Sequence, residues 1–145
     1  MIISRDQIVE LARGWLGTPY HHRASLKGVG CDCIGLVRGL WRELYGTEPE
    51  TVGHYTGEWS EATGNEALLG AAGRHLQPVA PPAAKPGDVL VFRLRQTTVA
   101  KHAAILVSHE RMIHAQEGAP VCEVAVSSWW RRRIAGAFVL PNVAG

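Results

Sequence analysis

The apolar residues of this chain change their repeat once, after Pro86-Gly87, and that change limits the chain to one class of fold. Ahead of it the spacing is helical. Ile8, Leu11, Ala12, Trp15 and Leu16 recur every three or four residues, which predicts a helix from about Gln7 to Leu16. Ser4 with Gln7 opens it as a capping box, and Gly17-Thr18-Pro19 ends it. A second helix is predicted from Asp32 or Cys33, with Val37, Leu40, Trp41, Leu44 and Tyr45 as its apolar stripe and Gly46 as its stop. A third is expected over Asn65–His75. Residues 20–30 and 47–60 are expected to be irregular, and Gln77–Lys85, with Pro78, Pro81 and Pro82, is expected to be a connector. Behind Pro86-Gly87 the segments Asp88–Leu94, His102–Val107, Arg111–Ala115, Val121–Val126 and Ile134–Leu140 are short and rich in β-branched or apolar residues. Helices followed by an antiparallel sheet make an α+β fold.

The 145 residues are expected to form a single domain. Either side of the proline stretch alone is too small for a comfortable core, and there is no internal repeat. Hydrophobic residues at 46% and charged residues at 19% give a globular balance. A net charge of +2 is too mild to predict nucleic-acid binding. No stretch approaches the roughly 18 apolar residues a membrane helix needs, so no membrane partner is expected. The N-terminus lacks a basic segment followed by an apolar run, so no signal peptide is expected and synthesis in the cytoplasm is. A substrate outside the cell would then require a carrier.

Cys31, Cys33 and Cys122 cannot all pair within the chain, and Cys31 and Cys33 are too close for an easy disulfide. A structural zinc ribbon lacks its C-x-x-C pairs, and His21, His22 and Cys31 match no trusted ligand spacing. Free thiols are expected, with no metal and no cofactor.

Cys33 stands at a predicted helix start, after a loop carrying Gly28 and Gly30 and beside Asp32. The unpaired N–H groups and the dipole of such a terminus favour a thiolate and suit an oxyanion. A free cysteine usually packs as a small hydrophobe, so position alone does not make Cys33 a nucleophile. A thiolate needs a base, and the base an orienting partner. His102 opens one predicted strand and His114 lies in the next. If Ser108-His109-Glu110 is the hairpin loop, Val107 pairs with Arg111 and Ala104 with His114. Both histidines then share a face with Ala104, Leu106 and Met112. A two-residue turn would place them on opposite faces. Each histidine taken alone is a structural group; the cysteine changes that balance. His21 and His22 lie near the thiol in sequence, Cys31 is expected to pack in its loop, and His54, His75 and His109 are expected to be solvated. Trp129-Trp130-Arg131-Arg132-Arg133 is expected to be a turn with tryptophans folded inward and arginines in water, its best functional use being contact with a neighbouring protein.

Asp32-Cys33-Ile34-Gly35-Leu36-Val37, Pro86-Gly87-Asp88-Val89-Leu90-Val91-Phe92, His102-Ala103-Ala104-Ile105 and Ile113-His114-Ala115 together resemble the NlpC family of cell-wall peptidases. Gly17-Thr18-Pro19-Tyr20 with Gly28-Val29-Gly30-Cys31-Asp32-Cys33 further resembles its branch in tailed phages and gene transfer agents. The resemblance implies a papain-like core with a Cys-His-His triad on Cys33, His102 and His114. It places Tyr20 and Asp32 at the substrate pocket and oxyanion region. It also implies cleavage of the peptidoglycan stem peptide between D-glutamate and a diamino acid, by a domain carried on a phage-like tail tip with baseplate proteins as partners. A catalytically silent tail component, or an amidase using the same triad, would share these residues. Two departures stand out: Ile34 where the family has serine, and His21-His22-Arg23 where many members have glycines.

Overall fold

The computed structural model describes residues 1–48, 66–95 and 99–145. Residues 49–60 with His54, and the start of the third helix at Asn65, lie outside them. The fold is α+β, as expected. Helix α1 is Arg5–Arg13, and Ser4 Oγ accepts the Gln7 N–H at 3.1 Å. It stops three residues before Leu16 because Gly14 caps it and the chain tightens into three-residue turns, Trp15 N–H to Ala12 and Leu16 N–H to Arg13. Leu16, expected on the apolar face, is therefore exposed.

Residues 20–30, expected to be irregular, contain a small hairpin, β1 (Ser25–Leu26) and β2 (Gly30–Cys31). Helix α2 is Cys33–Tyr45, closed at Gly46 with φ 87°. Its inner face includes Gly35 and Gly39 beside Leu36, Leu40 and Leu44. Both glycines are close approaches. A Cβ on Gly39 would sit 2.2 Å from the buried Trp15 ring, and one on Gly35 would sit 1.9 Å from the Ala24 carbonyl oxygen. Helix α3 is Ala67–His75.

The expected connector is partly a strand. β3 (Gln77–Val79) pairs antiparallel with β8 (Ile134–Val139), and Pro81–Ala83 form a 3-10 turn. Pro78 is tolerated there because β3 is an edge strand. With β4 (Val89–Phe92), β5 (His102–Leu106), β6 (Arg111–His114) and β7 (Cys122–Ala125), the order among the described residues is β3-β8-β4-β5-β6-β7, all antiparallel. The single-turn helix α4 (Ser128–Arg131) stands between β7 and β8.

The sheet has apolar side chains on both faces. Val89, Val91, Ile105 and Ile113 join Ile8, Trp15, Leu36 and Leu40 in the larger core. Leu90, Phe92, Ala104, Leu106 and Met112 form a second cluster with Trp130 and Ile134 packed on it. At the start of β4, the buried Asp88 carboxylate accepts the Arg5 guanidinium at 2.7 Å and the Lys85 N–H at 2.8 Å, tying α1 to the sheet.

Candidate active site

Cys33 is the first residue of α2, and its placement rests on Asp32. The Asp32 carboxylate accepts the Gly35 N–H and the Arg23 N–H, each at 2.7 Å, so it caps the helix and pins the preceding loop together. Ser25 extends the clamp: its hydroxyl donates to the Gly35 carbonyl at 2.6 Å, while Arg42 donates to the Ser25 hydroxyl at 2.9 Å. The glycine two residues after Cys33 is what lets Ala24 lie this close. Asp32, anticipated with the oxyanion region, thus has both oxygens on backbone donors, and a carboxylate supplies no N–H to an oxyanion.

Tyr20 reaches the same place from the Gly17-Thr18-Pro19-Tyr20 segment. Gly17 adopts φ 86°, Thr18 Oγ1 accepts the Gly28 N–H, and Tyr20 bridges to Cys31 beside the hairpin. Burial, reinforced by the neighbouring Cys33, Asp32 and Glu117 charges, pushes the Tyr20 phenol up to about 12. A neutral hydroxyl near the thiol is left as a donor.

The histidines come from the sheet. The β5–β6 register pairs Ile105 with Ile113 and Leu106 with Met112. The Val107 N–H bonds the Arg111 carbonyl at 2.9 Å, so Ser108-His109-Glu110 is the loop and its odd length puts both histidines on one face. Both rings are buried, and His102 Nε2 and His114 Nδ1 are 2.9 Å apart. If His102 donates from Nε2, its Nδ1 carries a lone pair and can take a proton. Burial and the adjacent His114 hold His102 down to about 3; burial also lowers His114. The pair is neutral at ordinary pH.

Cys33 approaches from the helical face of the sheet. Its Sγ lies 3.6 Å from the carbonyl oxygen of Lys101, the residue immediately before His102. The sequence predicts a thiolate here, but burial first, and the Asp32 charge second, push this thiol up to about 12. N–H groups of Ala103, Ile34 and Cys33 act in the opposite direction without overcoming burial. The helix terminus was correctly located; desolvation outweighs its dipole. At rest, therefore, the thiol is protonated and lies against the backbone just ahead of His102, whose imidazole is neutral, so the two form no standing ion pair. Ile34 turns its side chain toward an apolar cavity of about 110 Å³ between α2, α3 and the sheet, shared with Val37, Trp41 and Ala103, while its N–H faces the sulfur.

Cys31 is fully buried beside Asp32, and its thiol is pushed up to about 11 by burial and then by that charge. His21 and His22 are exposed, and His22 Nδ1 is 3.7 Å from Asp32. His109 is exposed at the hairpin tip, whereas His75 is half-buried at the end of α3 rather than solvated. Trp130 was not singled out by the sequence as a site residue. Its ring stacks on His102 at 5.4 Å between centroids, with 25° between planes, and meets His114 edge-on at 5.2 Å. The available signal was its position in the turn feeding a buried strand.

Residues 17–139 match the NlpC/P60 family. The chain is 28% identical over 138 residues to the gamma-DL-glutamyl hydrolase of Bacillus subtilis (strain 168), covering 94% of this chain and 29% of that protein. It thus spans less than a third of that curated relative's length. Among solved structures, it resembles the NlpC/p60 domain of the peptidoglycan hydrolase SagA with a TM-score of 0.66, at 23% identity over 95% of this chain and 100% of that one. An NlpC/P60 family protein from Bacillus cereus ATCC 10987 gives a TM-score of 0.67 at 20% identity, over 94% of this chain and 40% of that one. These structural likenesses concern the fold. With a match extending over most of its length, this chain belongs to the NlpC/P60 family, whose members are cysteine peptidases and hydrolases acting on peptidoglycan.

Proposed function

We propose that this chain hydrolyses peptidoglycan as a cysteine endopeptidase, cutting the stem peptide between D-glutamate and the diamino acid. The observation that carries the reading is the 2.9 Å ring pair of His102 and His114, together with a cysteine at a helix N-terminus whose sulfur lies 3.6 Å from the carbonyl just before His102. The gamma-DL-glutamyl hydrolase relative supports the choice of bond. In this reading His102 Nδ1 takes the Cys33 proton as sulfur attacks the carbonyl carbon, and His114 holds the His102 ring and its tautomer. The N–H groups of Cys33 and Ile34 face the oxygen that becomes negative. The imidazolium returns its proton to the leaving amine, and water then releases the acyl group from sulfur. Tyr20 walls the pocket. The likeness of the Gly17–Tyr20 and Gly28–Cys33 segments to phage and gene transfer agent proteins supports delivery by a tail tip, with action in the cell wall or periplasm.

The test is digestion of purified sacculi, with fragments identified by mass spectrometry, by the wild-type chain and by Cys33→Ala. Fragments ending in D-glutamate that vanish with Cys33→Ala are expected. Fragments cut between sugar and peptide would move the reading to an amidase. No release by a folded wild-type chain would favour a catalytically silent tail component, the reading that the neutral thiol supports.

A further inference from the structure

Trp130 lies against both imidazoles, and the contacts around it form a continuous stack. Its ring centroid is 5.4 Å from that of His102 at 25°, 5.2 Å from His114 at 87° and 5.0 Å from Phe92 at 67°. Behind it, Trp129 packs edge-on at 4.8 Å. The Arg133 guanidinium carbon sits 3.7 Å from the Trp129 ring centroid, and its Nη1 donates to the Trp129 carbonyl at 2.7 Å. A second Arg133 bond, from Nε to the Leu94 carbonyl, fastens the assembly to the end of β4.

This arrangement has three physical consequences for His102. Near-parallel stacking opposes rotation of the imidazole about χ2, a torsion that is otherwise broad. Together Trp130 and Phe92 keep water from the His102–His114 hydrogen bond, which strengthens it. An indole face also attracts a cation, and most strongly where water is absent. His102 is neutral at rest and becomes a cation only while it holds the Cys33 proton. The attraction is consequently realised as the reaction proceeds, the condition under which an interaction raises kcat rather than substrate affinity.

We propose that Trp130 is a positioning residue of the hydrolytic site, held by Trp129 and Arg133, that orients His102 and stabilises its imidazolium. This rests on the assignment of His102 as the base. Trp130 acts through the imidazole; it is not itself a reacting group. The titratable groups set around the stack are His114 on β6 and Arg133 ahead of β8.

The test pairs Trp130→Phe with Trp130→Leu, measured in two ways. On stem-peptide fragments, Trp130→Leu should lower kcat about 10- to 30-fold with KM within about twofold, the size of a lost desolvated cation–π contact. Trp130→Phe, which keeps an aromatic face, should recover most of that loss. The second measurement is the His102 titration by NMR in a Cys33→Ala background, independent of turnover. There Trp130→Leu should move the His102 midpoint down, further from the ordinary imidazole range, because the cation loses its aromatic face, and Trp130→Phe should move it less. A midpoint unchanged or raised in Trp130→Leu, or an equal fall in kcat for Phe and Leu, would overturn the proposal. If wild-type protein hydrolyses nothing, the endopeptidase reading fails, while the NMR shift still decides whether Trp130 controls the imidazole.

Discussion

His102 and His114 share one hydrogen bond, Nε2 to Nδ1 at 2.9 Å, beside an aromatic wall of Phe92 and Trp130, and among the described residues no charged side chain bonds either ring. An aspartate as third member would hold a standing negative charge beside the base and favour the imidazolium at rest. A second imidazole orients without charging. The consequence is an imidazole kept neutral and a thiol kept protonated at rest.

His114 can be replaced by a group that still accepts from Nε2. His114→Gln should retain part of the activity, and His114→Ala should lose about 100-fold in kcat, within the range of a misoriented general base. Steady-state kinetics on stem-peptide fragments, with thermal melting as a control for folding, checks both.

Because the Asp32 charge helps raise the Cys33 thiol, removing the charge while keeping the cap separates two roles of one residue. Asp32→Asn should label faster with iodoacetamide at neutral pH than wild type and remain folded, since asparagine caps well. Asp32→Ala should lose about 1–2 kcal/mol as a deleted cap. In wild type, Cys33 labelling should be slow at pH 7 and accelerate only on the alkaline side. Mass spectrometry of the labelled peptide reads each rate.

Acid should unfold this protein partly through its histidines. His102 binds a proton near pH 3 when folded and near its ordinary value, about 6.5, when unfolded. Between those values the unfolded chain holds more protons, so stability falls as pH drops through that window. The opposite limb belongs to Cys33: its folded thiol titrates near 12, so stability falls as pH rises above the ordinary thiol range. From pH 7 to pH 4 the urea midpoint of wild type should fall more steeply than that of His102→Gln, which lacks the group whose proton uptake differs between the folded and unfolded chain.

Gly35 and Gly39 should both resist substitution, for different reasons. Gly39→Ala drives a methyl into the Trp15 ring and should cost about 1–3 kcal/mol by overpacking. Gly35→Ala drives one into the Ala24 carbonyl, which belongs to the loop that Asp32 holds, so activity should fall further than stability. Denaturant melts alongside peptide hydrolysis distinguish the two.

Much of this fold was legible in the residues because period and punctuation agree. Ser4 and Gln7 mark the start of α1, and of the two β5–β6 registers the sequence left open the structure has the one with the three-residue loop. What was missed has physical causes. Leu16 fitted the helical period, but Gly14 ends the helix before it. Gln77–Val79 lacks a strand's composition and pairs only because the β8 edge is beside it. Local dipole reasoning gave Cys33 a low pKa, since burial by distant segments has no local signature. Trp130 shows the same limit: nothing within 128–133 announces that the two histidines lie across from it.

The three-residue loop from Ser108 to Glu110 has a consequence for anyone engineering the domain. Its identity is open: His109 and Glu110 face solvent, and an epitope or a fluorophore can be written there by substitution. Its count is closed. Removing or adding one residue that reseats the pairing by one step would turn His114 to the sheet's helical face and part it from His102. The hairpin tip therefore tolerates a change of letters but not of spelling length, a parity lock on the chemistry below it.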